Sequence, residues 1–278
     1  MNIFVVMQKI LIPTDFSDAA RDALRYAAKY IDSGTADFYL LNAYDQPSNT
    51  DMLISIVDIL KEESEKALKE EVEFCKKTLH IKEEKLHLIS VLGSVEEAIQ
   101  KALKTQNIDV VVMGTKGASG VKEILVGTNT VHVISKIDVP VIAVPKFNEN
   151  ISLDVIAIAI DNEGLANEHI LDRVKEIAEL NAANIVLLNV LKNDEEPFCF
   201  NVQQQNRLRK YFGRMDIECV ALKGADVEKE INEFVWNNDI DMLVIFPRKM
   251  SLLQKLFGKK SISRKINFHS KVPVFSLG

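Results

Sequence analysis

The sequence predicts an α/β protein made of two successive doubly wound sheets, each with five parallel strands. Three observations lead there. Apolar runs of strand length alternate with longer helical patterns, the rhythm of βαβ crossovers in a sheet covered on both faces. The whole order then occurs a second time, with phrases returning in register: ILIPTD answers to IAIAID, LLNA to LLNV, NIDVVVMG to NDIDMLVIF, and DVPVIAVP to KVPVFSL. Recurrence over such a length marks a tandem duplication. Within a copy, two crossovers precede a jump to the fourth strand, so the winding reverses beside strand one.

The first copy opens with a strand at 9–13 (KILIP), followed by a helical pattern at 18–31 and a strand at 38–44 (FYLLNAY). A long helix at 52–79 leads to a strand at 85–91. The helix at 95–106 starts at a capping box, Ser94 to Glu97: the serine hydroxyl satisfies an orphan N–H and the glutamate reaches back. A strand at 110–113, a helix at 128–136 and a strand at 139–145 complete the copy, and the polar stretch 146–154 reads as a linker. In the second copy the strands fall at 155–161, 184–190, 217–222, 242–246 and 272–277. The domains are therefore expected at 1–147 and 152–278. The segment 58–73, with i,i+4 pairs such as Glu62–Lys66 and Glu65–Lys69, reads as a solvated helix face. Trp236 and the thirteen phenylalanines read as core.

Composition narrows the function classes. With 47% apolar and 27% charged residues and a net charge of -6, the 278-residue chain has material for two ordinary cores and no bias toward nucleic acid or an anionic membrane surface. Cys75, Cys199 and Cys219 are odd in number and lack a CxxC pair, which points to a reducing cytoplasm rather than a disulfide framework. The opening MNIFVVM has no basic leader, and no apolar run reaches the ~18 residues of a membrane span. Met7 is a second candidate start. The histidines His80, His87, His132, His169 and His269 lack ligand spacing, so surface or packing roles are expected of them ahead of metal binding, and a metal site is left unassigned.

In a doubly wound sheet the functional residues lie beyond the carboxyl ends of the strands at the reversal. Those positions are Pro13, Thr14 and Asp15 after strand one, Ala43 and Tyr44 after strand two, and Gly114 onward after strand four. The last loop reads G-x2-G-x9-G-T through Gly114, Gly117, Gly127 and Thr128, with Gly120 between. Glycine allows positive φ and the close approach of bare N–H groups to an anion. Gly127 and Thr128 open the fourth helix, so free N–H groups, the positive dipole end and the Thr128 and Thr130 hydroxyls are expected to face the crevice as a phosphate cradle. Lys116 and Lys122 add positive charge. The stretch is neither a Walker A loop nor the GxGxxG of dinucleotide folds, which would follow strand one. Asp15 also stands where an N-cap would, and Ser119, in GASG, has no base to make it a nucleophile.

The order strand, G-x2-G-x9-G-[ST], helix, followed by VPVIAVP and preceded by KILIPTDFSDAARDALRYAAKY, resembles the universal stress protein family and its tandem members. The resemblance implies a flavodoxin- or Rossmann-like, adenine-nucleotide-binding fold. It places the base of ATP, accompanied by Mg2+ where required, near Asp15 and the backbone of Ala43. Ribose and phosphates would run along Met113, Gly114, Gly117, Gly127, Thr128 and Asn129. It also implies pairing through the fifth strands, as a homodimer or an intramolecular pseudo-dimer; two alternating VPV strands at sheet edges would otherwise expose unpaired backbone groups.

The second copy departs from the signature: Phe246 stands at the first glycine's place and Lys249 at the second's, Pro247 removes a donor, and Gly258 alone cannot rebuild the cradle. Asp161 remains. One competent site per chain is expected. Between 246 and 271 the chain has no acidic residue while Arg248, Lys249, Lys255, Lys259, Lys260, Arg264, Lys265 and Lys271 gather, a candidate surface for an anion or a protein partner. The leading expectation is a cytoplasmic stress-response regulator that holds ATP as a ligand. Its rivals are a slow ATPase, with Asp15 orienting Mg2+ or water and Lys116 meeting developing charge, and a dimeric scaffold that binds no nucleotide.

Overall fold

The computed structural model describes residues 7–32, 34–45, 53–115, 128–148, 150, 152–160, 171–191, 202–213, 215–246 and 272–277. The chain divides into two compact units, Met7–Phe147 and one drawn from Asn148–Gly278. The first contains β1 (Lys9–Pro13), α1 (Asp18–Tyr26) continued by a π-helical turn (Ala27–Ile31), β2 (Asp37–Tyr44), α2 (Leu53–Thr78), β3 (Leu86–Leu92), α3 (Val95–Gln106), β4 (Val110–Gly114), α4 (Thr128–Lys136) and β5 (Val141–Val144). Its strands lie in the order β3-β2-β1-β4-β5, every neighbouring pair parallel. The second contains β6 (Val155–Ile160), α5 (Asp172–Asn181), β7 (Asn184–Leu191), α6 (Val202–Phe212), β8 (Ile217–Lys223), α7 (Val227–Asn237), β9 (Met242–Ile245) and β10 (Val274–Ser276). Its order is β8-β7-β6-β9-β10, again parallel.

Both sheets thus reverse their winding beside their first strand, as the sequence predicts. The element boundaries agree with the sequence reading to within a few residues. The strands expected at 139–145 and 272–277 are trimmed to Val141–Val144 and Val274–Ser276; Pro140 and Pro145 flank the former and have no N–H for the ladder. The capping box forms: Glu97 N–H donates to Ser94 Oγ at 3.3 Å and Ser94 N–H to Glu97 Oε2 at 3.1 Å.

Central strands are buried on both faces, so Ile10–Ile12 and Val110–Val112 are continuous apolar runs with no exposure to speak of, as a doubly covered parallel sheet requires. In the first unit α1 packs on β4 and β5, α2 on β2 and β3, and α3 on β2 and α4. Among the described residues no helix is long and apolar enough to cross a membrane.

Helix α2 keeps the solvated face expected of it, with Glu62, Glu65, Lys66 and Lys69 exposed, and adds a buried one. Ser64, Leu68, Glu71 and Cys75 recur at i, i+4, i+7 and i+11 and form a buried stripe. Ser64 shares a hydrogen bond with Ser90 of β3, Oγ to Oγ 2.8 Å. Glu71, its side chain 3% exposed, accepts from Arg21 Nε at 2.8 Å and Nη2 at 2.7 Å on the same carboxylate oxygen, Oε1. That bond raises the Arg21 pKa, and burial, followed by the nearby Glu71 charge, pushes the Cys75 thiol up to about 12. The guanidinium groups of Arg21 and Arg25 each lie 5.1 Å from the Phe74 ring centroid. Thus α1 and α2 are joined by an ion pair that is buried on its acidic side. Trp236 corrects the expectation of a core residue: it sits on α7 with 59% of its surface exposed, while Phe38, Phe212 and Phe275 fill the cores.

The linker is shorter than its polar composition suggests. Phe147 packs edge-on against Tyr26 and Tyr30, ring centroids 5.9 Å apart in both cases, and its N–H donates to Asp22 Oδ2 at 3.2 Å. Leu153, in the second unit, is buried.

The duplication is visible atom by atom. Asp109 Oδ2 accepts from Gln8 N–H at 2.9 Å and Lys9 N–H at 3.0 Å; Asp241 Oδ2 accepts from Asp154 N–H and Val155 N–H, both at 2.9 Å. Each aspartate, just before its unit's fourth strand, holds the start of the first. Burial pushes the Asp241 carboxyl pKa up against the lowering effect of those two bonds.

The close approach of α1 to β4 needs a glycine. An ideal Cβ on Gly114 would lie 2.3 Å from the Ala19 carbonyl oxygen and 2.6 Å from its carbon. Backbone cannot swing aside as a side chain can, so Gly114→Ala is expected to lower unfolding free energy by about 1–3 kcal/mol, read from urea titration. Arg21→Ala should cost about 2–3 kcal/mol, because Glu71 is left buried without its cation. The double variant Arg21→Met/Glu71→Leu should recover most of that loss, and a double variant no more stable than Arg21→Ala would show that the pair is not what joins the helices.

Candidate functional site

The site is built from three chain segments at the C-terminal end of the first sheet. Strand β1 ends at Pro13, paired with Leu41 of β2. The following residue is held by β2 on both sides: Thr14 N–H donates to Leu41 O at 2.8 Å, and Asn42 Nδ2 donates to Thr14 O at 2.7 Å. The chain then turns on itself. Phe16 N–H donates to Thr14 Oγ1 at 2.9 Å, and Ser17 N–H donates to Asp15 Oδ1 at 3.1 Å. The turn requires Phe16 at φ 63°, a left-handed conformation uncommon for a residue with a Cβ. Ser17, not Asp15, is the N-cap of α1, accepting from Ala20 N–H at 3.3 Å. Asp15 therefore shapes the loop through an Asx turn and stands exposed at its rim.

The second wall is the end of β4. Met113 is buried and pairs with Ala143 of β5. Gly114 is enclosed by the first turn of α1, and its carbonyl accepts from Thr130 Oγ1 at 3.1 Å. Thr115 is buried, with its N–H donating to Val144 O at 2.9 Å. Helix α4 starts at Thr128, so the N–H groups of Thr128, Asn129 and Thr130 occupy its first turn, where no helix carbonyl can serve them. Ala43, third segment of the site, lies one residue beyond Asn42 and pairs with Val91 of β3.

The structure thus brings Pro13, Thr14, Asp15, Ala43, Met113, Gly114 and the start of α4 to the same end of one sheet. Two expectations take a different form. The Thr130 hydroxyl is buried and its proton is directed to Gly114 O, so what it holds in place is the helix start. Gly114 is glycine for the sake of Ala19, a packing reason the loop spacing does not disclose. Lys116, Gly117, Gly120, Lys122 and Gly127 lie outside the described residues, as do the side chains of Thr128 and Asn129. Asp161, His169, Cys199 and residues 247–271, which hold the basic segment, lie outside them too.

Asn42 is the residue that sequence reasoning passed over. Its signal was present, since LLNA and LLNV place Asn42 and Asn189 at the same point of the two copies. Both are buried, and Asn189 Nδ2 donates to Ile160 O at 3.1 Å, the counterpart of the bond to Thr14. Among the described residues no group of three or more His, Cys, Asp or Glu is arranged to hold a metal ion.

Chemically, the first unit offers main-chain donors at a helix start, a carboxylate at the rim of a rigid turn, and a backbone floor in which the Gly114 carbonyl is already engaged. This arrangement suits recognition of an anion joined to a polar ring. The chain as a whole is similar to known proteins in sequence and in fold. Residues 7–145 match the family model described as universal stress protein family. Universal stress protein MJ0577 of Methanocaldococcus jannaschii is 32% identical over 159 residues, 52% of this chain and 98% of that protein. Universal stress protein MJ0531 of the same organism is 30% identical over 144 residues, 50% of this chain and 82% of its own length. The crystal structure of a universal stress protein from Archaeoglobus fulgidus superposes with a TM-score of 0.73 at 20% identity, covering 98% of this chain and 99% of the other, which shows the shared fold. With the signature segments, the parallel doubly wound sheet and half the chain matched by the family model, this chain belongs to the universal stress protein family.

Proposed function

We propose that this protein is a cytoplasmic stress-response regulator that holds ATP as a ligand at the C-terminal end of its first sheet. One observation carries the reading: the turn after β1, the end of β2 and the start of α4 converge at the point where the winding reverses, which is where open α/β sheets bind ligands. The residues present suit an adenine nucleotide. The first-turn N–H groups of α4 favour a phosphate through their donors and the helix dipole. Asp15, held by the Asx turn, offers a carboxylate oxygen as an acceptor at the rim for an exocyclic amino group. In sequence, the segment 114–130 contributes Lys116 and Lys122 against a single acid, Glu123, and Gly117 and Gly127 remove side chains that would keep phosphate from the backbone.

In this reading Thr130 and Thr14 organise the main chain rather than touch the ligand. Phosphate contacts fall to Gly117, Gly127, Thr128 and Asn129, with Lys116 neutralising charge and Mg2+ accompanying the polyphosphate. Met113 and Ala43 contribute backbone. The second unit retains the scaffold but not the glycines, so it adds no comparable nucleotide site. Bound nucleotide changes what the surface of the first unit presents, and that surface is what a partner reads.

Calorimetric titration of the full chain with ATP should give a stoichiometry close to one per chain. Gly117→Val should remove the binding heat while leaving the thermal transition in place, because a β-branched side chain blocks amide access. Unchanged affinity in that variant, or two equivalent sites per chain, would overturn the proposal.

A further inference from the structure

A carbonyl oxygen can only accept, so the group of Asn42 that meets Thr14 O at 2.7 Å is its NH2. That contact has a geometric consequence. Thr14 C=O and Asp15 N–H belong to one planar trans peptide and point in opposite directions. Holding the carbonyl toward β2 therefore fixes the direction of the Asp15 N–H, and with it the plane from which the Asp15 side chain leaves. The preceding peptide is fixed as well, by the 2.8 Å bond from Thr14 N–H to Leu41 O. Beyond it, the left-handed Phe16 and the two side-chain turns at Thr14 and Asp15 close the loop. Asn42 reaches into this series of contacts from another strand, and it is 7% exposed.

The second unit supplies the comparison. Asn189, fully buried, makes the same bond to Ile160 O at 3.1 Å in a copy whose later loop lacks the glycine signature. The clamp is thus part of the scaffold of both units. In sequence, only the first copy follows its fourth strand with Gly114, Gly117 and Gly127.

We infer that Asn42 is a positioning residue for nucleotide recognition: its carboxamide orients the Thr14–Asp15 peptide so that Asp15 is set to read the base. This rests on the ATP reading above. The clamp means that ligand does not have to order the turn on arrival, and a turn ordered beforehand gains affinity by that saving.

The test uses the full chain in four forms: wild type, Asn42→Leu, Asn42→His and Asn189→Leu. Each is titrated with ATP and with GTP and followed by thermal unfolding. Asn42→Leu removes the donor at similar size. It should weaken ATP about tenfold and bring the ATP-to-GTP affinity ratio toward one, since the base reader is no longer oriented. Asn42→His places a ring N–H at comparable reach and should restore both affinity and selectivity. Asn189→Leu should lose thermal stability to a similar extent as Asn42→Leu while binding ATP like the wild type. Should Asn42→Leu fail to fold, Asn42→Asp at pH 8, isosteric and without a donor when ionised, takes its place with the same expectation. Wild-type affinity and selectivity in the Asn42 variant would overturn the inference alone, as would equal weakening by Asn189→Leu. A wild type that binds no adenine nucleotide would overturn the function reading, and this inference with it.

Discussion

Helix α1 lies where it does because residue 114 has no Cβ. The Ala19 carbonyl occupies the space a side chain would need, and from that approach the rest of the first unit follows. With α1 against the end of β4, the turn after β1 and the start of α4 are brought to the same edge of the sheet. The hydroxyl of Thr130 then reaches the Gly114 carbonyl. A glycine read from loop spacing as a phosphate residue is in the first place a packing residue. The two roles are compatible, since a bare backbone at the end of a central strand serves both helix packing and ligand approach.

The other face of α1 meets a different constraint. Glu71 is taken out of water, which is costly for a carboxylate unless a cation accompanies it. Arg21 supplies that cation, bonding one oxygen through two nitrogens. Its own side chain stays about a third exposed, so the pair is desolvated mainly on the acidic side. Elsewhere on the same stripe Ser64 bonds to Ser90 of β3, and Leu68 and Cys75 are buried. Helix α1 is thereby held on one side by backbone proximity and on the other by charge.

The two units share more than topology. The aspartate before the fourth strand holds the start of the first strand in both, and the asparagine of the second strand holds the end of the first in both. These contacts fix the first strand of each copy at its two ends, independently of whatever follows the fourth strand. That separation gives a physical reason why one copy can lose the glycine signature and keep the sheet: the groups that hold the strands are not the groups that would bind phosphate.

Much of this was legible in the amino-acid sequence. Period and length of the apolar runs determined the strands, the helices and the duplication, because a parallel sheet covered on both faces demands continuous apolar strands and amphipathic crossovers. The glycine spacing and the position of Asp15 determined which end of the first copy to consider. Only the tertiary structure decided the rest. It placed Glu71 inside while the charged residues around it suggested solvent, left Trp236 exposed on α7, made Ser17 rather than Asp15 the cap of α1, and gave Asn42 its contact with Thr14. Each of these depends on what stands opposite a residue across a gap of many positions, and local pattern carries no record of the partner.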